Sequence, residues 1–405
     1  MINNIYLLAA LCAVMFFSNS SLAQQDEACD GHRYRYLIYD DFQKIEDVVY
    51  GANLDASGDT LVLDMDVYLP PAEDTLTNRP IALVAHGGFF LVGNNEQFDV
   101  VPFCEDLARM GYVAVSYNYR LGLDNILLIQ QSLQEAVLRA VHDGKAAVRF
   151  IRKMYNEEGN PWGIDPNRIL MGGSSAGAFI ALHSAYLDFS EVPDIIDLSD
   201  PGLGGGIEGN SGNLGYSSEV LSVFSMSGAI GNKEWIESGD VPIVSTHGTE
   251  DNTVPYEEGT IQIFLIDVDE VDGSAAIHET VDILGIENCF YTFDGAGHVP
   301  HQNYDTYYDT TRAVLTGFNS RMVCPSYEPI CGYYDVNDPP EIEEEEPVDC
   351  PQDLVEDGIV DASDMLMFLA NYGCVGDCIG DFNETGNVSI SDVLSILAIY
   401  GSYCE

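Results

Sequence analysis

At Arg168-Ile169-Leu170-Met171 an apolar run enters Gly172-Gly173-Ser174-Ser175-Ala176-Gly177 and leaves as a second apolar stretch of helical character, 176–186. A serine centred in Gly-x-Ser-x-Gly, with a strand before it and a helix after it, constrains this chain more than any other feature. The turn is so sharp that side chains at the flanking positions would meet neighbouring backbone, so glycines stand there and the central hydroxyl is thrust out at the top of a sheet. Short Gly/Ser patterns arise by chance. Strand and helix on the correct sides make this one a nucleophile, Ser175.

A serine that attacks a carbonyl needs a base to take its proton and an acid to orient that base. When the nucleophile sits on such a turn, the chain order is serine, acid, histidine. Downstream, the predicted strand 242–246 runs into His247-Gly248-Thr249-Glu250-Asp251, and strand 289–293 runs into Asp294-Gly295-Ala296-Gly297-His298. Both loops lie beyond strand C-termini, where the sites of open α/β sheets collect. Asp251 and His298 are therefore the expected partners of Ser175. Glu250 is the alternative acid, His301 the alternative base, and His247 reads as structural. The negative oxygen of the tetrahedral intermediate needs donors as well. Strand 81–85 ends in His86-Gly87-Gly88-Phe89, where glycines let backbone N–H groups approach a substrate. Gly87, Gly88 and Ala176, with Phe89 as a further candidate, form the expected oxyanion hole.

Around these residues apolar runs alternate with longer amphipathic ones. Runs 61–69, 81–85, 112–117, 168–171, 220–225, 242–246 and 289–293 predict strands; 134–155, 176–186 and 304–319 predict helices. Such alternation gives an α/β fold with a mostly parallel sheet covered on both faces. The stretch 197–218, with seven glycines from Gly202 to Gly215, reads as a mobile loop bordering the active site.

Together, His86-Gly87-Gly88, the run Gly163-Ile164-Asp165-Pro166-Asn167-Arg168 into Gly173-Ser174-Ser175-Ala176-Gly177, Asp251 and His298 resemble the carboxylesterase and hormone-sensitive-lipase branch of the α/β-hydrolases, over roughly residues 55–321. The resemblance implies the α/β-hydrolase fold and metal-free hydrolysis of carboxylic esters, with the triad roles on Ser175, Asp251 and His298. Phe89 departs from the pattern, since many members carry a third glycine there. A serine peptidase of prolyl-oligopeptidase type and a non-catalytic adhesion protein on the same fold are the alternatives.

Residues 1–23 carry an apolar run followed by small and polar residues up to Ala23, which predicts a signal peptide and a secreted protein. No later run has the ~20 apolar residues of a spanning helix. Against 15 Lys and Arg stand 66 Asp and Glu, a net charge of -51. That excess repels nucleic acid and anionic membranes. Among the ten cysteines, Cys104 lies in helix-like surroundings and is the expected buried free thiol, while Cys350, Cys374, Cys378 and Cys404 crowd the tail as disulfide staples. The expected domains are a catalytic domain over 24–327, an acidic proline-containing linker over 328–349 and a small module over 350–405.

That module repeats itself with an offset of 28: Asp353/Asp381, Gly358/Gly386, Asp364/Asp392, Leu366/Leu394, Leu369/Leu397 and Tyr372/Tyr400 coincide. Each copy places an acidic loop before an amphipathic helix, and calcium wants six to eight oxygens wrapped around a turn glycine. In the second copy the expected ligands are Asp381, Asn383, Thr385, Asn387 and Asp392. In the first they are Asp353, Asp357 and Asp364, with Val355 standing where a ligand is missing and a weaker site expected. The repeat resembles a dockerin, which implies structural calcium and a cohesin-like or cell-surface partner. A docking tail on an esterase points to polymeric ester substrates.

Overall fold

The computed structural model describes residues 28–123, 125–200, 202–263, 266–340, 351–355, 357–376, 378–402 and 404. The expected signal peptide, Cys12, Cys350 and the acidic run 341–349 lie outside them. The chain divides into two compact units, Met1–Pro340 and Glu341–Glu405.

The first unit is built on strands β1 (Gln43–Leu54), β2 (Thr60–Leu69), β3 (Arg79–Ala85), β4 (Val113–Tyr117), β5 (Ile164–Ser174), β6 (Ser222–Met226), β8 (Ile243–Gly248) and β11 (Asn288–Phe293), in the spatial order β1-β2-β4-β3-β5-β6-β8-β11. From β4 to β11 neighbours run parallel, while β1 and β2 pair antiparallel at one edge. Short β7 (Ala229–Ile230) joins the hairpin β9 (Glu258–Ile263) and β10 (Ile266–Gly273) in a second sheet.

Period two decides which helices cover which face. Ile81, Leu83, Ala85, Val113 and Val115 face helices α2 (Ile129–Glu157) and α3 (Ala176–Tyr186) in one core. Their neighbours Ala82, Val84 and Ala114 face α1 (Val101–Arg109) and α5 (Asp309–Val323) in the other. A smaller core gathers around Ile243, Ile277 and Val281, beneath α4 (Ser274–Leu284). Because both faces are covered, central strands read as unbroken apolar runs. The doubly covered, mostly parallel sheet of an α/β-hydrolase is the fold that the sequence predicts and the structure has.

Two expectations are corrected. Residues 328–340 do not belong to a linker: Cys331 is bonded to Cys289, Val336 is buried, and the Leu37 N–H donates to the Val336 carbonyl at 2.9 Å. A second disulfide, Cys29–Cys324, clips the start of the described chain to the end of α5. The glycine-rich stretch 197–218 is irregular yet pinned. Arg120, wholly buried against Asp143, donates to the Gly202 carbonyl and the Ser211 hydroxyl, and Arg149 donates to Gly212 and Glu208. Among the described residues, none of that stretch lines the cavities beside Ser175. Cys104 is buried and free, as the sequence predicts.

In the second unit, α6 (Ala362–Asn371) and α7 (Ile390–Leu397) pack through Phe368 and Ile396 onto Val388. The repeat explains the cross-pairing. Gly373 N–H donates to the Val388 carbonyl and Gly401 N–H to the Val360 carbonyl, so that the glycine of each copy bonds the equivalent valine of the other. Cys374 is bonded to Cys378, and Cys404 is also disulfide-bonded.

Candidate active site

Ser175 stands between β5 and α3 with φ of +51°, in the left-handed region that serine rarely enters. Its surroundings over-determine that conformation. A Cβ at Gly177 would lie 2.0 Å from the Ala85 carbonyl oxygen, and one at Gly173 would lie 2.4 Å from it. Only glycines let β3 pass so close. The Ser175 N–H donates to the Met226 carbonyl at 2.8 Å, which locks the turn to β6.

The loops after β8 and β11 bring their side chains to this hydroxyl. Ser175 Oγ is 2.8 Å from His298 Nε2, and His298 Nδ1 is 2.6 Å from Asp251 Oδ2. Asp251 Oδ1 accepts the Thr253 and Val254 N–H groups at 2.8 and 2.9 Å. Burial opposes ionisation of Asp251, but hydrogen bonds from His247 and His298 outweigh it and hold the carboxyl well below its usual range. The Val299 N–H donates to Ser227 Oγ at 3.2 Å, tethering the histidine loop to the end of β6. Of the alternatives, Glu250 points to solvent, and His301 is buried, its pKa pushed down to about 3 by burial and by the neighbouring His298.

The oxyanion expectation needs one change. The Gly87 N–H donates to Asp99 Oδ2 at 2.8 Å, so it is engaged within the protein and not offered to a substrate. Gly88, Phe89 and Ala176 carry backbone N–H groups with no protein acceptor among the described residues. The loop is held from behind: Tyr119 Oη donates to the His86 carbonyl at 2.8 Å, and the two rings stack at 4.4 Å. Gly88 has φ of +120°, and Phe89 and Phe90 have +60° and +59°. A third glycine would suit position 89; phenylalanine holds it at a cost of about 1–3 kcal/mol.

Two cavities meet at Ser175. One, of ≈ 110 Å³, is apolar, with Phe89, Val137, Phe179, Trp235 and Val271 in its wall. It is roofed by the β9–β10 hairpin, which Asp269 fastens to α2 through Gln130 and Gln134 at 3.0 and 2.8 Å. The other, of ≈ 290 Å³, is more open and contains His298 with Gln97, Asp99, Thr253 and Gln302. Sequence reasoning missed Asp99 and both cavity walls. Their residues come from separate elements, so no local spacing announces them.

In the second unit, one carboxylate oxygen from each of Asp353, Asp357 and Asp364 lies within 4.8 Å of the others, which fits a divalent cation. In the second copy Asp381 accepts the Thr385 and Gly386 N–H groups, and Asp392 accepts the Asn383 N–H at 3.2 Å. Asp364 and Asp392 also close capping boxes at the starts of α6 and α7, a folding reason for each that needs no ion.

A protein-family model described as BD-FAE matches residues 65–220. Among curated proteins, the chain is 30% identical over 146 residues to a non-reducing polyketide synthase of Stereocaulon alpinum, covering 35% of this chain and 5% of that one. It is 29% identical over 143 residues to another from Emericella nidulans, again 35% and 5%. The matched part is thus 5% of the length of these curated relatives. Among solved structures, it is similar to a butyrate-bound esterase of Thermogutta terrifontis, with 20% identity, a TM-score of 0.49 and coverage of 66% of this chain and 92% of that one. The native form of that esterase gives 22%, 0.47, 66% and 91%.

Proposed function

We infer that this chain is a carboxylic ester hydrolase working through Ser175, His298 and Asp251. The observation that carries the reading is the hydrogen-bonded chain Ser175 Oγ–His298 Nε2 and His298 Nδ1–Asp251 Oδ2, at 2.8 and 2.6 Å, where an apolar cavity meets a polar one. The match of 65–220 to an esterase-like family model supports it.

Asp251 holds the proton on Nδ1, so the Nε2 lone pair faces Oγ and takes its hydrogen as Oγ bonds to the ester carbon. The Gly88, Phe89 and Ala176 N–H groups receive the negative oxygen, and each such donor is worth roughly 3 kcal/mol. Collapse breaks the bond to the alcohol oxygen, which leaves with the Nε2 proton. Water, deprotonated by the same nitrogen, then frees the acid. The alcohol must depart past His298, so it occupies the open cavity, and the acyl group takes the apolar one. A void of about 150 Å³ holds benzene, so ≈ 110 Å³ suits a short acyl chain.

Secretion, calcium in the tail, attachment to a cohesin-like or cell-surface partner, and a polymeric ester substrate extend this reading. The disulfides are in keeping with an oxidising compartment. The carboxylate group Asp353, Asp357 and Asp364 is in keeping with calcium.

The test is hydrolysis of p-nitrophenyl esters by wild type and Ser175→Ala. Acetate and butyrate are expected to be turned over faster than laurate, and the variant to lose activity on all three. Activity that survives in Ser175→Ala refutes the assignment, and a laurate optimum refutes the acyl cavity.

A further inference from the structure

Asp251 receives more hydrogen bonds than an acid that only orients one histidine needs. Beyond its two backbone donors and His298, its Oδ2 lies 3.1 Å from Nε2 of a second imidazole, His247. His247 is wholly buried near the C-terminal end of strand β8, and ester hydrolysis as derived gives it no step. Its Nε2 also lies 3.2 Å from the Val254 carbonyl oxygen. Both neighbours are acceptors, so Nε2 carries a hydrogen. On the opposite side Nδ1 is 2.8 Å from Ser274 Oγ, and that hydroxyl is 3.2 Å from the Gly228 carbonyl. Tyr256 packs edge-on against the ring at 5.7 Å. Both ring nitrogens thus face polar partners, Nε2 those of the acid loop and Nδ1 the hydroxyl at the start of α4, which the loop after β6 contacts in turn. A buried polar ring persists in a core only when it is satisfied in this way.

We propose that His247 is a positioning residue of the hydrolytic site, holding the Asp251 carboxylate in the rotation that keeps Oδ2 in line with His298 Nδ1, with Ser274 holding His247 in turn. The proposal rests on the Ser175–His298–Asp251 reading and extends it by one imidazole and one hydroxyl. A carboxylate turns freely about its Cβ–Cγ bond unless both oxygens are engaged. Thr253 and Val254 fix Oδ1; His247 fixes Oδ2 whether or not His298 is swung away to protonate a leaving group. A donor shared on Oδ2 also lowers the basicity of that oxygen. The proton on His298 Nδ1 therefore stays on nitrogen while the imidazolium forms.

The experiment uses the full chain and two variants. His247→Phe keeps a ring and removes both nitrogens; His247→Gln keeps an amide donor near the position of Nε2. Readouts are kcat and KM on p-nitrophenyl butyrate, the pH profile of kcat, Tm, and the low-field proton resonance of the His298–Asp251 bond. His247→Phe is expected to lower kcat roughly tenfold to a hundredfold, as small misplacements of reacting groups do. KM should stay within about twofold of wild type, since the cavities that bind substrate are untouched. The resonance should shift or broaden, and His247→Gln should restore most of both effects. Wild-type kcat with an unmoved resonance in His247→Phe overturns the proposal. So does a loss that only tracks a fall in Tm and is not recovered by His247→Gln. Should His247→Phe fail to fold, Ser274→Ala decides: it must move the resonance the same way, and an unmoved one overturns the proposal. If wild type hydrolyses no ester, the ester reading falls while the resonance still judges the role of His247.

Discussion

At the scale of the residue, backbone strain gathers around one hydroxyl. Ser175, Phe89 and Phe90 all have positive φ without being glycine, and all border the same cavity. Asp99 keeps the strained loop in register by accepting the Gly87 N–H, and a Cβ on Gly87 would lie 2.9 Å from that carboxylate. Asp99→Ala leaves a buried amide unpaired, at about 1–3 kcal/mol, and lets the Gly88 and Phe89 donors drift. The expected result is a fall in kcat of tenfold or more, measured on p-nitrophenyl butyrate, with Asp99→Asn intermediate because an amide oxygen can still accept. Unchanged kcat in Asp99→Ala would separate the loop from oxyanion binding. That Ser175, Asp251 and His298 come together was legible in the sequence, because the sharp turn and the serine-acid-histidine order constrain them locally. Asp99 and the engagement of Gly87 were not. Which way the Gly87 N–H points depends on ψ at His86 and φ at Gly87, and its acceptor comes from another element.

Among the elements, central strands and α3 were legible, because burial on both faces leaves an apolar run that only a covered parallel strand explains. Strand β1 was missed: Gln43–Leu54 is an exposed edge with two register shifts, carrying charges where a core strand carries valines. The hairpin β9–β10 was missed for a related reason, since Asp267, Asp269 and Glu270 mask its strand character. Residues 328–340 read as linker by their charge and prolines, and a disulfide with a few tyrosine contacts holds them down instead. In the tail, Val355 makes the first acidic loop look poorer as a cation site, yet three carboxylates converge there and affinity for calcium grows with ligand charge. Titration calorimetry on the full chain is expected to find two calcium equivalents. One should be lost in Asp364→Asn, whose amide oxygen can still accept the Asp361 N–H that Asp364 now holds at 2.8 Å. Full stoichiometry in that variant would leave Asp364 with its capping role alone.

For the whole molecule, a net charge of -51 and a set of buried neutral histidines pull stability in opposite directions as pH falls. Burial lowers His142, His183 and His278 to about 4 and His301 to about 3, with the Arg120 guanidinium adding to the effect at His142. In the unfolded chain each returns to an ordinary imidazole near 6.5. Unfolding therefore takes up protons below that value, and stability rises with pH wherever the unfolded state binds more of them. The contribution is fully present above about pH 6.5 and drains away as pH falls towards 4, at about 1.4 kcal/mol per proton per pH unit. Protonation of surface carboxylates works the other way by relieving self-repulsion, but ordinary Asp and Glu titrate near pH 4. Between about pH 6.5 and 5 the histidines act nearly alone. Calorimetry at fixed ionic strength should then show Tm falling across that window. At pH 7, added salt should raise Tm, because screening shortens the reach of the acidic surface to about 8 Å at physiological strength. A Tm that holds or climbs from pH 6.5 to 5 would mean that relief of repulsion already dominates, and that the four imidazoles are less sealed from solvent than their burial indicates.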